Sequence, residues 1–221
     1  IARSADLPMT VKIGGCEAVS DLYNTKLLGA EYIIAPMIET PYALQKYIEA
    51  KNKIFNEEER QDTQFLINIE TQQTAENIQS IIQMNASFSK NNKIDGWVFG
   101  RVDYGMSIGH ERDHLNFEKN NIVTEKILEI ASLAKNNNTQ LVVGGGISLE
   151  SINILKSIQN IYLDRFETRK IIFSANALNI PALKDGMLEA VHLELLWLKN
   201  KKNYYGSIFA EDDKRIEMLS S

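Results

Sequence analysis

A single cysteine, Cys16, occurs in 221 residues. That excludes an internal disulfide framework and any zinc site built from several thiolates. A basic excess is lacking too. Lys and Arg number 24 against 29 Asp and Glu, a formal net charge of −5, whereas a nucleic-acid binder carries a basic footprint. No apolar run approaches the roughly 18 residues of a membrane span, and no GxGxxG follows the first apolar run to mark a dinucleotide-binding fold. Histidine is scarce: His110 and His114 sit among charged neighbours and read as solvated, and His192 reads as a hydrogen-bonded member of an apolar tail. Cys16, with no His near it in sequence, reads as a small packing residue. The composition that remains, 44% hydrophobic and 24% charged, excludes a disordered or collagen-like chain. We expect a cytoplasmic protein with neither nucleic acid nor membrane as partner.

What the chain does have is a repeating unit: a short apolar run, a loop with Gly or an acid, then an amphipathic stretch. The runs fall at 11–13, 32–35, 65–69, 96–99, 141–143 and 170–173. Most are continuous in Val, Ile, Leu and Phe rather than alternating, as in a parallel sheet buried on both faces. Between them lie helix signals. Thr40 before Pro41 reads as an N-cap and first helical position, with Leu44, Tyr47, Ile48 and Lys51 forming one face. Thr74 precedes Ile78, Ile81 and Ile82; Ser148 precedes Ile152, Leu155 and Ile158; and Ile127, Ile130, Ala131 and Ala134 share a stripe. Strand–helix alternation with short connections predicts parallel strands joined by right-handed crossovers. Ile1 falls in what reads as a helix-to-strand connection. Six units fit either an open doubly wound sheet or most of a (β/α)8 barrel, the latter recorded from about its third strand with its first one or two units preceding Ile1. The run 187–199 is apolar nearly all round and needs cover on most faces. We expect a barrel domain at 1–183 and a helical extension at 184–221, packed on the barrel or on a neighbouring subunit.

In a parallel barrel the chemistry sits at the carboxyl ends of the strands. The run at 65–69 ends in Glu70 and Thr71, and the run at 96–99 leads to Gly100, Arg101, Val102 and Asp103. Two carboxylates thus project toward one mouth, where a hard divalent cation with oxygen ligands relieves their repulsion. Strand-end carboxylates also cap helices and form ion pairs, and spacing alone leaves both readings open. The run at 141–143 leads to Gly144, Gly145, Gly146, Ile147 and Ser148. Those glycines either bring backbone N–H groups to an anion at a helix N-terminus or merely make a tight turn.

Taken together, these strand ends resemble the metal-dependent barrel family of the citrate lyase beta subunit and the class II 2-oxo-acid aldolases of the HpcH/HpaI type. FLINIETQQTAENI resembles that family's strand ending in Glu-Thr, and IDGWVFGRVDYGMSIG its strand ending in Gly-x-x-Asp with a Ser-x-Gly loop behind. VKIGG and YIIAPMIE stand in the order of its third and fourth strands, so the likeness runs from about residue 11 to 173. It implies that Glu70 and Asp103 hold Mg²⁺ or Mn²⁺ and that a 2-oxo acid or acyl thioester reacts through an enolate, in a homo-oligomer. Lys12 and Arg101 become the anion contacts, with Thr71, Gly100, Val102, Gly144 and Gly145 around the substrate. Lys12 stands where the family usually has Arg, which removes a bidentate fork. Tyr104 and Met106 depart from the family's loop, and RFETRK at 165–170 has no assigned role. A barrel enzyme holding a sugar phosphate on GGGIS and a catalytically silent subunit are the competing expectations.

Overall fold

The computed structural model describes residues 1–110, 115–116 and 121–220. Among the described residues seven strands form one sheet in chain order: β1 (Thr10–Lys12), β2 (Tyr32–Ala35), β3 (Gln64–Ile69), β4 (Gly96–Gly100), β5 (Gln140–Gly144), β6 (Arg165–Glu167) and β7 (Ile172–Ser174). The first six run parallel, and β7 turns back antiparallel on β6. One expectation needs correcting here. The sixth parallel strand is RFE at 165–167, not the apolar run near 170–173, which supplies the antiparallel edge. In β6 only Phe166 is fully buried, so a search for continuous apolar runs passes over it.

The helices are α1 (Val19–Leu28), α2 (Pro41–Ile54), α3 (Glu59–Asp62), α4 (Gln72–Glu76), α5 (Ile78–Ser87), α6 (Arg101–Ser107), α7 (Ile122–Asn136), α8 (Ile152–Gln159) and α9 (Leu183–Ser220). Thr40 caps α2 as its sequence predicts, its hydroxyl accepting from Ala43 N at 3.1 Å. Ser148 and Ser151 form a reciprocal cap at the turn before α8. The Thr74 start moves: Thr71 is the cap of α4, and a break at Asn77 separates α4 from α5. No helix among the described residues is long and apolar enough to cross a membrane.

Alternation along each strand sends side chains to two faces. Ile33, Phe65, Ile67, Trp97, Phe99, Leu141, Val143 and Phe166 face the helices in the main core. Ile34, Leu66, Val98 and Val142 face the other way and pack on one another, with Tyr32 against them. That inner face is curled. The Arg165 guanidinium of β6 lies 4.4 Å from the Tyr32 ring centroid of β2, although four strand spacings in a flat sheet amount to roughly 19 Å. The result is an α/β fold whose described strands form a curled half-barrel sheet.

Outside the sheet, Lys51 of α2 is buried. Its Nζ donates to the Lys93 carbonyl at 2.8 Å and lies 4.6 Å from the Phe65 ring centroid. Burial pulls its pKa from 10.5 down to about 8, against the pull of Asp95. The unfolded chain therefore binds more protons between pH 8 and 10.5, and folding stability rises with pH across that window. Wild type should gain about 3 kcal/mol relative to Lys51→Met between those limits. Urea unfolding at several pH values measures it, and parallel profiles for the two proteins contradict the burial account.

Candidate active site at the open end of the half-barrel

The inward parity that builds the small inner cluster continues to the carboxyl ends of the strands. Lys12, Asn68, Glu70, Gly100, Gly144 and Glu167 share it. Two of these positions are glycines, which leaves room for the acidic side chains that flank them.

Glu70 is buried and held from three sides. Its Oε2 accepts from Lys12 Nζ at 3.0 Å and Asn68 Nδ2 at 2.6 Å, and its Oε1 accepts from Met37 N at 3.2 Å. Met37 has φ of 55°, a left-handed backbone that costs a residue other than glycine of order 1 kcal/mol or more. That turn aims the Met37 N–H at the carboxylate. Asn68 Oδ1 is buried with no hydrogen-bond partner among the described residues, which leaves one oxygen acceptor free beside Glu70.

Asp103 enters from the first turn of α6. A Cβ added to Gly100 would stand 3.3 Å from Glu70 Cβ and 3.8 Å from Asp103 Oδ2, so the two acidic side chains bracket that glycine. Ser107 fixes their elements together: its Oγ accepts from Gln72 N at 2.9 Å and donates to the Tyr104 carbonyl at 2.7 Å. The serine behind the Gly-x-x-Asp strand therefore ties the start of α4 to α6. An open depression of about 370 Å³ lies over this junction, lined by Thr71, Gln72, Gln73, Glu76 and Ser107.

Other candidates take different places. Thr71 caps α4 through Thr74 N at 3.2 Å and donates to Glu39 Oε1 at 2.7 Å. Arg101 must be corrected as an anion contact. It has the parity opposite to Gly100 and is fully buried. Its guanidinium donates to Ser151 Oγ at 3.2 Å, the Leu115 carbonyl at 2.5 Å and Asn116 Oδ1 at 2.8 Å. Burial pulls its pKa down to about 10, and its work is to pin the 115–116 segment and the turn before α8. Tyr104 is buried against Phe99, ring centroids 5.1 Å apart, so it is core rather than pocket wall; Met106 is exposed. Cys16 packs at the edge of the main core as expected, and His114 lies outside the described residues.

Gly145 and Gly146 have φ of 82° and 64°, conformations that favour glycine. A Cβ on Gly145 would come within 2.8 Å of Val102 N and 2.9 Å of Arg101 N. The missing side chain is what lets the loop after β5 close on the start of α6, whose N-cap, Gly100, offers no side-chain bond. The two amides of Arg101 and Val102 and the Gly144–Gly145 backbone thus converge beside the carboxylates.

The residue that sequence reading missed is Glu167. Its side chain lies over Gly144, with Cγ 2.6 Å from where a Cβ there would stand. Burial raises its pKa, with Lys12 and then Arg165 opposing. Lys12 is therefore an ammonium between two inward carboxylates, bonded to one and in electrostatic reach of the other. The alternation in Arg165, Phe166 and Glu167 was the available signal.

Among the described residues no cluster of three or more His, Cys, Asp and Glu stands ready to hold a metal ion. The pair Glu70 and Asp103, with the free Asn68 Oδ1 adjacent, nonetheless fits a hard cation such as Mg²⁺. That ion takes one or two carboxylates and completes its shell with water and substrate oxygens.

The sequence profile of the HpcH/HpaI aldolase/citrate lyase family matches residues 16–145. This chain belongs to that family. The match spans the Glu70 and Asp103 strand ends and the Gly144–Gly145 turn. Among solved structures, the chain is similar to RipC from Yersinia pestis, with TM-score 0.55, 17% identity, and 81% of this chain and 80% of that one covered. It is similar to the citrate synthase SbnG at TM-score 0.58 and 15% identity, over 91% and 76% of the two chains. The HpcH/HpaI aldolase from Desulfitobacterium hafniense DCB-2 aligns at TM-score 0.57 and 14% identity, over 73% and 66%. At those identities the likeness is one of fold. No curated protein matches this sequence.

The raised pKa of Glu167 has a measurable sign. Above the ordinary carboxyl range the folded state holds a proton that the unfolded chain has released, so this residue removes stability as pH rises. Relative to wild type, Glu167→Gln should gain stability between pH 4.5 and pH 8. Thermal unfolding at both values tests this; a gap that stays constant, or moves the other way, contradicts it.

Proposed function

We propose that this chain is a divalent-metal-dependent carbon–carbon lyase or aldolase acting through an enolate on a 2-oxo acid or acyl thioester in the cytoplasm. The observation that carries the reading is the pair Glu70 and Asp103, bracketing Gly100 at the open end of a half-barrel whose sequence belongs to an aldolase/citrate lyase family. We read that half-barrel as the larger part of a (β/α)8 barrel. The printed names of the neighbours, a citrate synthase and an aldolase, describe reactions that make or break a carbon–carbon bond, and they support the same class.

Glu70 and Asp103 would hold Mg²⁺ or Mn²⁺, and Asn68 Oδ1 would face that group or one of its waters. When bound, the ion supplies positive charge that offsets the negative charge appearing as the carbon–carbon bond breaks. Lys12 now neutralises Glu70. Once Glu70 is neutralised otherwise, the ammonium is free to meet a substrate carboxylate as a point charge, with no bidentate geometry. The Val102 and Gly145 amides, with Gly100 and Gly144, would hold substrate oxygens; Thr71 shapes the wall through its cap. Arg101 drops out of the substrate contacts and acts on the loops that frame them.

Solvent exchange of the pyruvate methyl protons in D₂O, followed by NMR with added Mg²⁺ or Mn²⁺, reports enolate formation directly. Glu70→Gln and Asp103→Asn should each reduce metal-stimulated exchange more than about 100-fold with circular dichroism unchanged. Full exchange in both variants, or none in wild type, contradicts the proposal.

A further inference from the structure

The long helix α9 leaves the body of the protein. Its first turns are docked: Leu183, Met187 and Ala190 are buried, Glu194 lies 4.0 Å from Arg169, and Lys170 lies 5.4 Å from the Trp197 ring centroid. From Leu195 to Ser220 every described side chain is exposed. A helix of 38 residues is roughly 57 Å long, so more than half of it stands clear. An isolated helix of that kind is marginal in water unless an apolar face is covered.

Its exposed sequence carries such a face. Leu195, Leu198, Lys202, Tyr205, Phe209, Asp212 and Ile216 recur at spacings of three and four in strict alternation, the seam of a coiled coil. The apolar members are large and open, from Leu195 at 47% to Phe209 at 69% exposure. The buried residues lie in the first turns, and the seam begins beyond them at Leu195 with its centre roughly 60° around the helix, so covering the seam does not compete with the body.

We propose that a second copy of this chain covers this seam, the two α9 helices running antiparallel and crossing at the level of Ser207. The two charges inside the seam decide the occupant and its direction. At that register Lys202 faces the partner's Asp212, Leu198 faces the partner's Ile216 and Tyr205 faces the partner's Phe209. First-position residues of the heptad then meet fourth-position residues throughout, as antiparallel packing requires. A parallel, in-register pair would instead set Lys202 against the partner's Lys202 and Asp212 against the partner's Asp212. The same register places the two bodies at opposite ends of the rod. This surface is independent of the reaction proposed above.

Sedimentation equilibrium of the full chain tests the proposal. Wild type should be a reversible dimer. Leu198→Glu and Phe209→Glu should each weaken it roughly 100-fold or more, with the near-ultraviolet circular dichroism of the body unchanged. Lys202→Asp and Asp212→Lys should each weaken association roughly tenfold, and the double variant K202D/D212K should recover it. A parallel pair predicts equal association for all four charge forms, which overturns the proposal. So does a monomer at all concentrations, a monomer whose seam instead binds vesicles of phosphatidylcholine and phosphatidylglycerol, or an oligomer indifferent to Leu198→Glu and Phe209→Glu.

Discussion

The ion pair between Lys12 and Glu70 reaches from β1 to the end of β3, past the intervening strand, across the inward face of a curled sheet. A flat sheet would carry Lys12, Glu70 and Glu167 along a line too long for one ammonium to influence both acids. Curling brings the inward parity of every strand onto a shared axis, where Arg165 reaches Tyr32 at the lower end and Lys12 reaches Glu70 at the upper. The glycines then matter for what they omit. Gly100 leaves room between Glu70 and Asp103, Gly144 leaves room for the Glu167 side chain, and Gly145 lets the loop after β5 close on the amides of α6.

Charge accounts for much of the rest. Two inward carboxylates on one rim repel, and burial raises the cost of ionising Glu167. One lysine serves both. Asp103, exposed at the start of α6, adds a third negative group beside Gly100 without a further cation near it among the described hydrogen bonds and ion pairs. A site with this balance has an excess of oxygen donors over positive charge, the condition under which a hard divalent cation binds. The protein side of such a site is already rigid: Met37 N and Asn68 hold Glu70, and Ser107 ties the two loops that carry the acids.

Much of this was legible along the chain. Continuous apolar runs located five strands within a residue or two, and Thr40 with Pro41 marked the start of α2, because those signals depend on neighbours in sequence. The strand ends named Glu70, Gly100, Asp103 and Gly144 together. Arg101 misled, since position beside a strand end does not say which face a side chain takes; the parity opposite to Gly100 sends it into the core. Glu167 was hidden in a three-residue strand whose one fully buried member is Phe166, and its place over Gly144 depends on a neighbouring strand and not on its own sequence. The tail read as apolar all round, but it divides into a buried start, Leu183 to Ala190, and an open seam from Leu195 onward, a distinction that needs the body in place.

The central claim is that Glu70 and Asp103 form one cation site completed by a 2-oxo acid. Calorimetric titration of the protein with Mn²⁺, alone and in the presence of pyruvate or oxaloacetate, tests it most directly. One ion should bind weakly alone and markedly more tightly with the 2-oxo acid, because substrate oxygens would add to the carboxylates as donors. An ion that does not bind, or that binds with the same affinity whether or not the 2-oxo acid is present, contradicts it.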